Sequence, residues 1–209
     1  MTQLEIMGAN AKNASVFLRT AGSKKDDALL AIAKALREHS DEIIKANEID
    51  IENGKNAGLT ESLLDRLRLT PERINGMAEG VEQVAALADP IGNVLEGRTL
   101  KNGLNIEKVR VPMGVIGIIF EARPNVTSDA AALCLKAGSA VILRGGKEAI
   151  NSNLAVSEIM RNAVESVGFP KDCIALVKDT SRQSATELMQ LSDYLDVLIP
   201  RGGAGLIRS

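Results

Sequence analysis

Up to about residue 90, apolar positions recur at helical spacing. Leu29, Ile32, Ala33, Leu36, Ile43 and Ile44 share one face, with Lys34, Arg37 and Glu42 elsewhere on the wheel. That is the pattern of amphipathic helix packed on a core. Ser23, with Asp26 three residues on, resembles a capping box at the start of the run. Gly54 and Gly58, with Asn53 and Asn56, break it. A short helix is predicted around Glu61–Leu69. Thr70–Pro71 then pairs an N-cap hydroxyl with a proline at the first helical position. The helix it opens runs to about Leu87 and stops before Asp89–Pro90. No residue of this half has a catalytic look, so residues 1–92 read as a helical layer covering a sheet or a neighbour.

The period then changes. Val94–Leu100 and Leu104–Val111 read as two strands joined by a Lys101-Asn102-Gly103 turn. The second strand alternates, which predicts one exposed face, and Pro112 ends a hairpin over 93–112. From Gly114 onward, strand and helix alternate. Val115–Phe120 is an unbroken apolar run, as expected of a strand buried on both faces. A helix over Ser128–Lys136 closes at Gly138. Ala140–Leu143 is a second strand, followed by Arg144-Gly145-Gly146-Lys147 and a long helix to Val167. Ile174–Val177, a helix over Ala185–Leu191 and a strand over Leu195–Ile199 complete the series, with a further helix expected beyond Gly205. Alternating strands and helices imply an α/β fold with a parallel sheet and right-handed crossovers over 113–209. A doubly wound sheet normally continues further, so more chain is expected, and a chain with such an open sheet edge is expected to self-associate.

Composition narrows the class. Apolar residues make up 45% and charged residues 25% of the 209, with a net charge of −2. This mix is that of an ordinary globular protein and supplies no field for nucleic acid or an anionic membrane. Two distant cysteines and one histidine, His39, supply neither a disulfide framework nor a metal site. No apolar run reaches the roughly 20 residues that span a bilayer. A cytoplasmic protein with reduced thiols is the expectation.

Candidate chemistry gathers at strand ends, where ligands bind open α/β sheets. The first end carries Glu121, Arg123, Pro124 and Asn125. The second carries Arg144, Gly145, Gly146 and Lys147, and the last Arg201, Gly202, Gly203 and Gly205. Glycines there let a ligand approach the backbone, and nearby cations suit phosphate. Together the three turns describe a nucleotide crevice, although none fits G-x-G-x-x-G. Asn125 is a neutral donor, with capping of the next helix as the alternative. Arg123 could hold an anion as a planar fork or pair with Glu121. Lys147 could equally be a solvated loop cation. Cys134 lies mid-helix and Cys173 at the wrong edge of the sheet, so both read as buried hydrophobes.

These residues carry a resemblance. The order and spacing of Gly117 through Asn125, the Ala140–Arg144 strand and its loop, Gly168-Phe169-Pro170 and the Gly202–Gly203 turn resemble the aldehyde dehydrogenase superfamily. Within it, Phe120-Glu121-Ala122-Arg123-Pro124-Asn125-Val126-Thr127, Ile142–Glu148, Leu198–Leu206 and Leu64-Asp65-Arg66-Leu67 are similar to the γ-glutamyl phosphate reductase branch. The resemblance implies an aldehyde-dehydrogenase-like fold, with N-terminal helices plus a Rossmann-like parallel sheet and an extra β-hairpin. It implies NADPH-dependent reduction of L-glutamyl 5-phosphate to L-glutamate 5-semialdehyde and phosphate, in proline biosynthesis. It assigns Asn125 as oxyanion donor and Arg123 as substrate contact. Arg144, Gly145, Gly146, Lys147, Gly202 and Gly203 border the NADP(H), with Arg144 and Lys147 favouring its 2′-phosphate. No metal is implied. The nucleophilic cysteine belongs to a later catalytic domain, past the Gly202–Gly203 turn and absent from these 209 residues. Glutamate 5-kinase and further copies of the chain are the implied partners. A non-catalytic nucleotide-binding or assembly module, and a relative with another substrate, are the competing readings.

Overall fold

The computed structural model describes residues 1–203. Gly205, and the helix expected after it, lie outside the described residues. Five helices lead: α1 (Gln3–Leu18), α2 (Lys24–Glu38), α3 (Ser40–Asn56), α4 (Glu61–Leu67) and α5 (Pro71–Ala86). The capping box forms at α1, not at Ser23. Glu5 N–H donates to Thr2 Oγ1 at 3.2 Å, and Thr2 N–H to Glu5 Oε2 at 2.6 Å. Ser23 itself is already helical (φ −64°, ψ −16°) and makes no capping bond. A cap needs extended backbone so that its side chain can reach back over the first turn. Gly54 does not break α3. It lies buried within the helix, where a Cβ would sit 3.0 Å from both Leu59 Cδ1 and Leu64 Cδ2. The chain leaves the helix at Gly58, whose φ is +75°. Thr70 caps α5 as expected, accepting from Arg73 N–H at 3.2 Å.

The sheet contains β3 (Val115–Phe120), β4 (Ala140–Arg144), β5 (Ile174–Leu176) and β6 (Val197–Arg201), all parallel, in the order β5-β4-β3-β6. Helix α6 (Asn125–Lys136) links β3 to β4, a 3₁₀ turn and α7 (Ile150–Ser166) link β4 to β5, and α8 (Arg182–Met189) links β5 to β6. The first two crossovers step one way across the sheet and the third returns past β3. Strand order therefore reverses between β3 and β6, and a crevice opens at such a point. Every residue of β3 is buried. Helix α1 packs on β3, β4 and β5, whereas α2, α3 and α5 stack on α6 and α7. The leading helices are thus mostly an outer layer, and they share one hydrophobic cluster with the sheet.

Several boundaries differ from the sequence pattern, among them α8, which runs over Arg182–Met189 rather than Ala185–Leu191. Helix α6 begins three residues early because Pro124 (φ −58°, ψ −34°) serves as its N-cap residue. Strand β6 includes Pro200 and Arg201, paired with Ile119 and Phe120. An edge strand tolerates a proline whose missing N–H faces away from the ladder.

Strands β1 (Val94–Thr99) and β2 (Asn105–Val109) form the expected antiparallel hairpin, with Gly103 at φ +86° in its turn. Every residue of both strands is exposed, rather than one face only. The alternation in β2 thus has no buried face among the described residues.

Candidate active site at the strand-order reversal

Between Phe120 and α6 the chain turns within four residues, with Arg123 N–H donating to Glu121 O at 2.8 Å. Asn125 becomes the first residue of α6. Its side chain makes no cap; instead Nδ2 donates to Asp129 Oδ2 at 2.9 Å, one turn on. An amide nitrogen carries two hydrogens, so one remains to point at a ligand. Desolvation pushes the Asp129 pKa above the ordinary aspartate value, against the opposing pull of Asn125, Arg201 and Ser128.

Asn125, Asp129 and Arg123 open into a cavity of about 590 Å³. Its opposite wall is the α4–α5 junction, which contributes Arg66, Arg68 and Arg73. That junction is held from two sides. Asn47 on α3 donates to Leu67 O at 2.8 Å and accepts from Leu69 N–H at 2.7 Å. Arg73 donates to Arg68 O at 2.8 Å and to Asp65 Oδ1 at 2.9 Å. Arg73 is thereby committed. Among the described residues, Arg66, Arg68 and Arg123 make no side-chain hydrogen bond or ion pair. The sequence reading gave this helical half no chemistry. The available signal was three arginines between positions 66 and 73, beside the Leu64–Leu67 motif.

At the end of β4, Arg144 Nη2 donates to Thr180 O at 2.6 Å and Ser181 O at 2.8 Å, tying down the loop before α8. Burial lowers its pKa, Asp179 and Glu148 oppose this, and its buried Nε has no partner among the described residues. At Gly145 and Gly146 protein atoms already occupy the direction a side chain would take. A Cβ on Gly145 would sit 2.3 Å from Asn153 Nδ2 and 3.1 Å from the Phe120 ring. One on Gly146 would sit 2.7 Å from Glu148 Oε2 and 3.3 Å from Ala122 N. Both side-chain directions point into protein, more tightly at Gly145 than at Gly146, where the nearest atom ends a flexible side chain. Lys147 is exposed.

At the end of β6, Gly203 N–H donates to Glu121 Oε1 at 2.9 Å. Glu121 therefore bridges the two strands that flank the reversal, and no ion pair joins it to Arg123 among the described residues. Gly202 follows Arg201 directly at this strand end.

Cys134 and Cys173 are 5% and 0% exposed, and burial pushes both thiols up to about 12. Neither is a nucleophile at neutral pH. Among the described residues there is no group of histidine, cysteine and carboxylate side chains placed to hold a metal ion. No helix among them is long and apolar enough to cross a membrane.

Comparison with known proteins follows the same lines. The profile described as aldehyde dehydrogenase family matches residues 2–197. The gamma-glutamyl phosphate reductase of Clostridium beijerinckii is 54% identical over 210 residues, covering 100% of this chain and 51% of that protein. The crystal structure of gamma-glutamyl phosphate reductase from Thermotoga maritima superposes with a TM-score of 0.97 at 40% identity, over 99% of this chain and 50% of the other. That of the Saccharomyces cerevisiae enzyme superposes at 0.91 with 34% identity, over 100% and 53%. The chain spans about half the length of the relatives it matches.

Proposed function

The chain belongs to the aldehyde dehydrogenase family, and on that premise we propose that it supplies the nucleotide-binding part and the oxyanion donor of a γ-glutamyl phosphate reductase. The overall reaction is L-glutamyl 5-phosphate plus NADPH and a proton giving L-glutamate 5-semialdehyde, NADP⁺ and inorganic phosphate, a step of proline biosynthesis. The nucleophilic cysteine of the resemblance is assigned to a later catalytic domain, consistent with two buried thiols here.

One observation carries the reading. Asn125 keeps an uncommitted amide hydrogen at the carboxyl end of β3, beside a cavity rich in arginine. A neutral donor stabilises negative charge developing on the reacting carbonyl without having to titrate. Arg123, from the same turn, suits the substrate phosphate or α-carboxylate.

The crevice fits an anionic dinucleotide. Arg144 has a buried Nε without a described partner, Lys147 is exposed beside it, and the amide of Gly203 lies at the neighbouring strand end. Arg144 and Lys147 would hold the 2′-phosphate, with the backbone of Gly145, Gly146, Gly202 and Gly203 along the cofactor. NADPH, when bound, supplies a hydride. Glutamate 5-kinase and further copies of this chain are the partners this role calls for, and the cytoplasm is where reduced thiols would persist.

The test is NADPH oxidation with glutamyl phosphate by the full-length protein. Asn125→Ala should lower kcat by about 10²–10³-fold with little change in NADPH affinity. An intact protein that leaves NADPH unoxidised would refute the reading. The burial of both cysteines favours one alternative, a nucleotide-binding module without turnover; calorimetric binding of NADPH by the intact protein with no reduction of glutamyl phosphate would identify it.

A further inference from the structure

The 590 Å³ cavity has two unlike walls. Arg66 and Arg68 come from the α4–α5 junction and Arg123 from the β3 turn, three guanidiniums without a described partner. Unpaired like charges facing one space repel one another, and an anion between them relieves that cost. A guanidinium meets a carboxylate or a phosphate through two parallel hydrogen bonds. The other wall carries an acid. Asp65 is engaged by Arg73 at 2.9 Å, so Asp129 is the lining carboxylate not paired with an arginine. Its Oδ2 accepts from Asn125 at 2.9 Å.

We infer that this cavity recognises a small zwitterionic amino acid carrying a second anionic arm, with Arg66 and Arg68 taking its anionic groups and Asp129 its ammonium group. The inference rests on the function proposed above and adds recognition residues from the helical half. A purely anionic ligand fits less well, because it would meet the Asp129 carboxylate. The volume lies within the range of small-molecule sites. The arginine-bearing backbone is fixed in advance by Asn47 and Arg73, which lowers the ordering cost of binding. Asp129 lies one helical turn from Asn125, so an ammonium group held there leaves the far arm of the ligand free to extend along the turn toward the oxyanion donor.

The experiment is calorimetric titration of the full-length protein with two stable probes, L-2-amino-5-phosphonopentanoate and its des-amino counterpart 5-phosphonopentanoate. The natural protein should bind the amino probe more tightly. Arg66→Gln and Arg68→Gln should weaken both probes by about 10- to 100-fold, the range for a lost hydrogen bond to a charged group. Asp129→Asn should weaken only the amino probe, bringing the two affinities together. Arg66→Lys and Arg68→Lys keep the charge without the fork and should fall between, which guards against a glutamine variant that fails to fold. Failure of the natural protein to bind or to discriminate overturns the inference, as do arginine variants that bind like it or an Asp129→Asn protein that still discriminates. NADPH oxidation with glutamyl phosphate separates this from the functional reading. Turnover without the probe pattern defeats the pocket assignment alone, and the probe pattern without turnover defeats the reductase reading and leaves the pocket standing.

Discussion

The carboxylate of Glu121 accepts the backbone N–H of Gly203 at 2.9 Å. This single bond ties the carboxyl end of β3 to that of β6 across the point where strand order reverses, so it shapes the mouth of the crevice from both sides. Glu121 is exposed, and the bond is therefore worth less than a buried charge-assisted one. Glu121→Ala should leave the melting temperature nearly unchanged and weaken NADPH binding by about 3- to 10-fold, the effect of about 0.5–1.5 kcal/mol. Glu121→Gln keeps an acceptor and should lose less. Calorimetric Kd values for the three proteins decide this; equal affinities would mean that the bridge does not shape the site.

Gly145 offers a test of packing against ligand approach. Its missing Cβ would lie 2.3 Å from Asn153 Nδ2, on a residue that is 0% exposed. Gly145→Ala should destabilise the protein by about 1–3 kcal/mol through overpacking. Asn153→Ala makes room but strands the Thr127 hydroxyl, which donates to Asn153 Oδ1 at 3.0 Å. The double variant should therefore be less destabilised than the sum of the singles, with a coupling within about 0.5–3 kcal/mol. Denaturant titration of all four proteins measures that coupling. Strict additivity would mean that a side chain at Gly145 does not crowd Asn153.

What the sequence made legible depended on the range of the interaction. The β3 run needed no context, because five apolar residues and a glycine without alternation have few other places to go. Thr70–Pro71 was equally plain, since the cap and its target lie three residues apart. Ser23 misled because a capping motif does not reveal whether its own backbone is extended. Pro124 lies outside the helix that the apolar pattern predicts over Ser128–Lys136, although its fixed φ suits a helix start. The cavity was harder still. Arg66 and Arg68 line the same cavity as Asn125, and Asn47, some twenty residues earlier, holds Leu67 and Leu69 beside them. Nothing local marks that convergence. Gly145 went the other way: a glycine after a strand looks open to a ligand until Asn153, on the following helix, is seen against it.

Asp196 latches the start of the sheet. It accepts from Val115 N–H at 2.8 Å and from Lys12 Nζ at 2.8 and 2.9 Å. Gly114 leaves it room: a Cβ there would lie 2.1 Å from Asp196 Oδ2, and φ is +111°. Gly114→Ala should cost about 1–3 kcal/mol in backbone strain, besides displacing the carboxylate. Burial raises the Asp196 pKa, but the Lys12 and Val115 bonds outweigh it and the net shift is downward. Its stabilising contribution is present above the unfolded value of 3.8 and fades as pH falls through the lower folded value. Asp196→Asn should therefore lose stability at neutral pH and show a flatter acid limb in thermal melts. An acid limb parallel to that of the natural protein would rule out this assignment.

Asp129 should behave in the opposite sense. Desolvation beside the cavity raises its folded pKa above the ordinary 3.8, with Asn125, Arg201 and Ser128 pulling against the shift. Between the unfolded and the raised folded values the native state holds more protons than the unfolded state, so stability falls as pH rises through that window. Above it the charged carboxylate costs a little stability, an amount reduced by the exposure of the side chain to solvent. Asparagine at this position keeps an oxygen to accept from Asn125 without the charge. Asp129→Asn should thus melt at the same temperature as the natural protein or higher at neutral pH, with the difference vanishing below the window. Melts across the acid range check this, and a variant destabilised at neutral pH would contradict it. If Asp129 also reads the ammonium group of the substrate, the substitution that steadies the fold is the one that blunts recognition. A carboxylate kept where it costs stability is then explained by its position facing Arg66 and Arg68 across the cavity.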